Sequence, residues 1–197
     1  MEIRTYGIQP GKLQKTKIEF PNYSDEVFTG ALWNIMKKMT VESERLLLYP
    51  ISDDDMRSLI ENEKDAEMKQ AYGEMLEGCL KYPEQRIWHA VWFMELKNRP
   101  GVIVGDFCFK GLRDDGCVEI GYGLRKGFCG YGYMTETVKK ISEWALSQDG
   151  VSCVEAETEE QNIASANVLK HAGFQQNGKW GEEGPRYVYV NRGTIIG

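Results

Sequence analysis

A chain of 197 residues, 42% hydrophobic and 27% charged, is long enough for one domain with a sizeable core and has the composition of a soluble globular protein. Its 24 basic against 30 acidic residues give a formal charge of −6, which argues against a nucleic-acid binder with a basic stripe, and no apolar run approaches the roughly 18 residues that span a bilayer. Five scattered cysteines without a CxxC pair, and only two histidines, argue against a zinc site and for reduced thiols; with no apolar leader core at the N-terminus, a cytoplasmic protein without a metal is expected.

Taken in chain order, residues 1–42 read as a polar arm followed by an accessory helix, with Ser24 as N-cap and Phe28, Leu32, Ile35 and Met39 at helical spacing. Residues 43–197 read as the main domain. It opens with a short strand in ESERLLLYPIS, and Ser52 followed by Asp53, Asp54 and Asp55 predicts a helix start. A second helix is expected over about 65–80. Three strands joined by short turns follow, over 87–96, 102–110 and 117–124, and predict an antiparallel meander. Met134, Val138, Ile141 and Ala145 mark one face of a helix ending near Gln148. After a strand over 151–158, Asn162 caps a further helix closed by Gly173, and 186–190 forms a last strand. The fold class predicted is α/β: a mixed, mostly antiparallel central sheet with flanking helices.

Residues 121–136, GYGLRKGFCGYGYMTE, concentrate five glycines in twelve positions directly before a helical pattern. The spacing fails the GxGxxG dinucleotide fingerprint, and GFQQNGKW (173–180) lacks the hydroxyl of a Walker A loop. Gly130 and Gly132 let successive backbone N–H groups converge at a helix N-terminus, an anion site suited to a diphosphate, with Arg125 and Lys126 just upstream. A glycine-rich bend under a closely packed helix is the other reading of the same residues. In CVEIGYGL, Val118, Ile120, Tyr122 and Leu124 share one face, and Glu119, Gly121 and Gly123 the other.

The succession VEIGYGL, GYGYMTE, a helix, VEAETEEQN and then NxxSxxVLKHAGF resembles the GNAT superfamily of acyl-CoA-dependent N-acetyltransferases, in particular the ribosomal-protein N-acetyltransferase branch, over about Glu44 to Phe174. The resemblance implies acetyl-CoA as co-substrate, with its pyrophosphate on Cys129, Gly130, Tyr131, Gly132, Tyr133 and Met134. It further implies that the pantetheine arm pairs like an extra strand beside Leu124 and that Asn162 contacts the pantetheine or phosphate arm. Two positions depart from the family pattern. Cys129 and Met134 stand at the ends of the phosphate loop, and Leu169 occupies the place of a tyrosine that often serves as general acid.

Transfer from a thioester to an amine needs a proton acceptor, oxyanion donors and a proton for the departing thiolate. Glu119, beside the glycines, is the candidate base or else an inter-strand carboxylate, with Glu182 and Glu183 next in line. Ser165 is the candidate donor to the thiolate or a small packing residue. Cys129 lacks a histidine partner and reads as a non-catalytic thiol. The expected activity is acetyl transfer to a primary amine, a small molecule or a protein N-terminus, with no nucleic-acid or membrane partner and with oligomerisation left open. A non-catalytic acyl-CoA sensor is the alternative, and a nucleotide-binding module the weaker one.

Overall fold

The computed structural model describes residues 39–189, so the arm and the Ser24-capped helix lie outside the described residues. Eight strands form one sheet in the order β1-β2-β3-β4-β5-β6-β8-β7. They are β1 Val41–Glu42, β2 Leu46–Pro50, β3 Val91–Leu96, β4 Ile103–Leu112, β5 Cys117–Leu124, β6 Cys153–Glu157, β7 Phe174–Trp180 and β8 Pro185–Tyr189. The helices are α1 Asp53–Asn62, α2 Ala66–Lys81, α3 Tyr133–Leu146 and α4 Ile163–Ala172. The expected mixed, mostly antiparallel α/β sheet with flanking helices is what forms. β1 draws Val41 and Glu42, read as the end of the arm, into the edge of the sheet beside β2.

Each helix begins where its sequence says. Ser52 and Asp55 make a reciprocal capping box at α1, Asp65 accepts from the Glu67 and Met68 amides at α2, and Asn162 accepts from the Ser165 amide at α4. Gly173 closes α4 at φ 108°, in the left-handed region that a side chain disfavours.

Residues 87–90 depart from the expected strand. Pro83–Trp88 forms a 3₁₀ segment and β3 starts only at Val91. Pro83 sits at the first turn of that segment, and the Trp92 indole N–H reaches back to the Ile87 carbonyl. His89 therefore caps the segment and stacks on Tyr82 rather than alternating in a strand. β7, over residues set aside above as a failed phosphate loop, is the other unexpected element.

Both faces of the sheet are covered, unequally. On one face α3, with its Met134, Val138, Ile141 and Ala145 stripe, and α4, with Val168, Leu169 and Ala172, pack against Trp92, Phe107, Phe109, Val118, Ile120 and Tyr122. On the other, α1 and α2 cover Val91, Phe93 and Ile103 with Met56, Met68 and Tyr72. All strand pairs are antiparallel except β5 and β6, which are parallel and joined through α3. Their ladder runs from Cys117↔Cys153 to Ile120↔Ala156, while β5 continues to Leu124 and β6 ends at Glu157.

The cap of α1 gives a direct check on this local reading. Ser52→Ala removes an oxygen that accepts from the Asp55 amide at 3.1 Å, and is expected to cost about 1 kcal/mol, read as a lower urea midpoint at unchanged slope. An unchanged midpoint would mean that the box adds nothing.

Candidate active site

The glycine loop turns as its composition requires. Gly127, Gly130 and Gly132 have φ of 96°, 85° and 78°, and Gly132 is the N-cap of α3. A side chain at Gly130 would meet nothing within 4 Å, so conformation rather than crowding calls for glycine there. The α3 N-terminus and this left-handed loop leave the first amides of the helix directed at one place, an anion-binding arrangement. Met134 lies buried beneath the loop, Cys129 is a half-buried free thiol at its start, and Tyr131 stacks on Tyr133 at 5.8 Å with its own ring largely exposed.

The cation beside this loop comes from elsewhere in the sequence. Arg45, just before β2, donates from Nη1 to the Tyr131 carbonyl at 2.9 Å and from Nε to Glu136 at 2.7 Å. Its guanidinium lies 4.5 Å from the Tyr133 ring centre. Glu136 also accepts from the Arg45 amide and the Ser43 hydroxyl, each at 2.7 Å. Burial pushes the Glu136 carboxyl up, but these donors hold it below the usual carboxylate range. Arg125, expected to reinforce the loop, instead lies 5.6 Å over the Phe93 ring and has Asp106, Tyr72 and Tyr49 as charged or polar neighbours; burial lowers its pKa.

Leu124 closes β5 opposite Gly105, where any side chain would collide with the Gly123 carbonyl oxygen. Gly123 and Leu124 thus extend past the last rung shared with β6. At the end of β6 the Thr158 hydroxyl is fully buried with no protein hydrogen-bond partner. On the α4 side, the buried Ser165 hydroxyl lies 3.0 Å from the Tyr122 hydroxyl, whose pKa burial raises far above its ordinary value. Tyr122 was read from the sequence as core alone. Its hydroxyl is what Ser165 touches.

On the opposite face, beyond the cover of α1 and α2, the strands present charge. An open cleft of about 660 Å³ is lined by Lys110, Glu119, Glu157, Arg186 and residues 179–183, at the end of β7 and in the turn towards β8. Glu119 takes Lys110 Nζ at 2.7 Å on one oxygen and Arg186 Nη2 at 2.9 Å on the other. Glu157 accepts from the Glu183 and Gly184 amides and from Arg186, and Gly181 must be glycine because a side chain there would strike the Glu157 carboxylate. Burial raises the Glu157 pKa, yet those amides and Arg186 outweigh it, and the carboxyl rests below its ordinary value. Glu183 is the contrary case. Burial pushes its carboxyl up, the Glu157 and Glu119 charges add to that, and Lys110 at 3.5 Å only partly opposes them. Trp180 stands exposed on the rim.

Among the described residues no group of three His, Cys, Asp or Glu side chains could hold a metal ion, and no helix is long and apolar enough to cross a membrane. Of the residues singled out in the sequence, the loop 129–134 gathers at the start of α3, Asn162 and Ser165 at the start of α4, and Glu119 in the cleft. Arg45, Lys110, Glu157 and Thr158 were not singled out. Strand register brings in Lys110 and Glu157, while Arg45 and Thr158 lie just outside β2 and β6, and the local sequence holds no signal for any of them.

A glycine loop opens α3 after a strand that outruns its parallel neighbour, and the family comparison agrees with that architecture. Residues 45–175 match the family described as an acetyltransferase (GNAT) domain, and the chain belongs to that family, whose general reaction is acetyl transfer to an amine. It is 36% identical over 91 residues to the uncharacterised N-acetyltransferase YjdG of Bacillus subtilis, covering 46% of this chain and 54% of that one. It is 30% identical over 66 residues to the uncharacterised N-acetyltransferase p20 of Bacillus licheniformis, covering 34% of this chain and 37% of the relative. The chain thus spans about half or less of the curated relatives it matches. Among solved structures, an acetyltransferase from Agrobacterium tumefaciens superposes with TM-score 0.58 at 21% identity, covering 77% of this chain and 94% of that one. A ribosomal alpha-N-protein acetyltransferase, RimL, superposes with TM-score 0.59 at 14% identity, covering 77% and 94%. A spermidine N-acetyltransferase variant from Vibrio cholerae gives 0.57 at 14%, covering 76% and 99%. These last three likenesses show a shared fold.

The loop is tested by charge. Gly132→Asp adds a carboxylate and a side chain at a left-handed residue of the loop, and is expected to weaken coenzyme A binding more than tenfold, beyond about 1.4 kcal/mol, by calorimetry. Arg45→Ala is expected to weaken it in the same direction through loss of the brace on Tyr131 and Glu136. Unchanged affinity in folded Gly132→Asp would remove the loop from the binding site.

Proposed function

We propose that this protein is an N-acetyltransferase that moves an acetyl group from acetyl-CoA directly to a primary amine. The observation that carries the reading is the parting of β5 from β6 after Ile120↔Ala156, immediately upstream of the left-handed glycine loop. The diphosphate would lie on the amides of residues 129–134. The pantetheine arm would run along Gly123 and Leu124, with Asn162 and the buried, unpartnered Thr158 hydroxyl within the same region. The five free thiols support a reducing compartment, the cytoplasm.

The amine enters from the charged cleft. Its lining has four carboxylates, Glu119, Glu157, Glu182 and Glu183, against three cations, Lys110, Lys179 and Arg186, a balance that favours a cationic acceptor. An ammonium must lose its proton before attack, since alkyl amines titrate near 10 and α-amines near 8. Glu119 is the β5 carboxylate there, but both its oxygens already accept from cations. Glu157 is saturated by amides and Arg186. Glu183 keeps proton-accepting capacity and overhangs the end of β6, because Glu157 pairs with Arg186 in the β6–β8 register. We assign Glu183 as proton acceptor and Glu119 as the carboxylate that holds Lys110 and Arg186 around it. The acetyl carbonyl would draw its oxyanion donors from the β5 backbone beyond Glu119. The thiolate would take its proton from the Ser165–Tyr122 hydroxyl pair, in place of the tyrosine absent at Leu169. Direct transfer leaves Cys129 without a covalent role.

The experiment is release of free coenzyme A from acetyl-CoA in the presence of an amine panel: a polyamine, an amino sugar and N-terminal peptides. Binding of acetyl-CoA without release to any amine would leave a sensor. With the best acceptor, Glu183→Gln is expected to lower turnover about 10²–10⁴-fold near neutral pH. A base with a raised pKa is protonated at low pH, so wild-type activity should climb as pH rises through that value, and the Glu183→Gln defect should shrink in alkali. Glu119→Gln is expected to lower turnover while keeping the shape of the pH profile. If instead Glu119→Gln abolishes the acidic limb and Glu183→Gln leaves it, the base is Glu119. Cys129→Ala should retain most activity, and an acetyl group trapped on Cys129 during turnover would overturn direct transfer.

A further inference from the structure

Cys117 opens β5 and Cys153 opens β6, and the register sets them opposite each other as the first rung of the parallel ladder. Neighbouring strands lie about 4.7–4.9 Å apart, so the two Cα atoms fall inside the roughly 4.4–6.8 Å range that a disulfide bridges. Side chains alternate along a strand, which puts both sulfurs on the face that carries Glu119 and Glu155. Both thiols are free and half-buried. No other cysteine of the sheet competes. Cys108 lies opposite Gly121, four residues further along β5, or about 13 Å. Cys79 is buried in α2, and Cys129 belongs to the glycine loop.

We propose that Cys117 and Cys153 are a modification site: a dithiol that forms a reversible cross-strand disulfide by exchange with a low-molecular-weight disulfide such as oxidised glutathione. Burial first, and then the neighbouring Cys117, push the Cys153 thiol up. One thiolate of the pair attacks one sulfur of the oxidised glutathione, forming a mixed disulfide and expelling one glutathione thiolate. The other thiol then loses its proton and attacks the protein sulfur of that mixed disulfide, expelling the second. The protein gives up two electrons and two protons, and one glutathione disulfide becomes two thiols.

The link is labile by construction. A disulfide wants its Cβ atoms about 3.8 Å apart, closer than opposed residues on paired strands, so the strand ends must draw together. Strain of that kind makes a disulfide easier to reduce. The bond ties the closed end of the strand pair, three residues before the strands part, and leaves the charged cleft uncovered. This inference does not depend on the acetyl-transfer reading.

The test equilibrates the full folded chain in glutathione buffers of graded ratio, quenches with acid and alkylator, and maps peptides by mass. The expected product has lost two hydrogens, carries one Cys117–Cys153 linked peptide, and returns to the dithiol in excess reduced glutathione. Cys153→Ser should stop at a glutathione adduct on Cys117. Separate adducts on both cysteines of the wild type, a link through Cys79, Cys108 or Cys129, a link that forms only in denaturant, or one that excess reduced glutathione leaves intact would each overturn the proposal.

Discussion

Much of this molecule depends on one ladder that stops early. β5 and β6 are the only parallel pair among the described strands, and they share four rungs before β5 continues alone to Leu124. A parallel pair needs a crossover, and the α3 crossover brings its own N-terminus to the end of β5. The glycine loop, the first amides of the helix and the outrunning strand therefore meet by topology rather than by separate placement. Arg45 completes the arrangement from the other side, because β2 lies on the same sheet and its approach puts a guanidinium between the Tyr131 carbonyl and Glu136. The anion site proposed there would act mainly through backbone amides, so it would tolerate Cys129 and Met134 at the ends of the loop.

The same ladder distributes charge. Glu119 and Glu155 are opposed on one rung, and like charges side by side would repel. Arg186, from β8, reaches Glu119 at 2.9 Å, Glu157 at 3.2 Å and Glu155 at 3.4 Å, and Lys110 and Arg113 supply one further cation each. The cluster is thus a lattice of alternating sign across four neighbouring strands. Such networks cost desolvation, and their net contribution to stability is small compared with the penalty of removing one member. Their geometric effect is larger. With Glu119 and Glu157 both held, the turn that carries Glu183 is fixed over the end of β6, and its carboxyl, unlike theirs, is left without a full set of donors.

The local signals in the sequence were legible and the long-range ones were not. Ser52 with three aspartates, Asn162, Gly173 and the Met134–Ala145 stripe all act within a turn or two of chain, so spacing alone predicts their elements. The sheet class followed from the short turns between apolar runs. Ile87 and Trp88 misled because they are apolar and bulky, yet Pro83 commits them to a 3₁₀ segment that packs Trp88 against Phe109 at 4.9 Å. β7 escaped notice because it is the outer strand of the sheet: FQQNGKW exposes most of its side chains and carries no apolar alternation. Glycine placement marked the loop. The partners of Glu119 and Glu136 did not show, since Arg186 lies 67 residues from Glu119 and Arg45 lies 91 from Glu136.

These two kinds of information meet at β8. Its register with β6 opposes Arg186 to Glu157, and its register with β7 sets Pro185 against Trp180, so the turn between them can only project past the end of β6. Gly181 lets that turn fold against the Glu157 carboxylate, which binds the turn's amides in return. A strand edge, a glycine and a buried acid thus define the position of a neighbouring acid that has no sequence signature of its own. The chemistry proposed for the cleft rests on that contrast: of its four carboxylates, Glu119 and Glu157 have their oxygens filled, while Glu183 is kept partly desolvated beside a single ammonium.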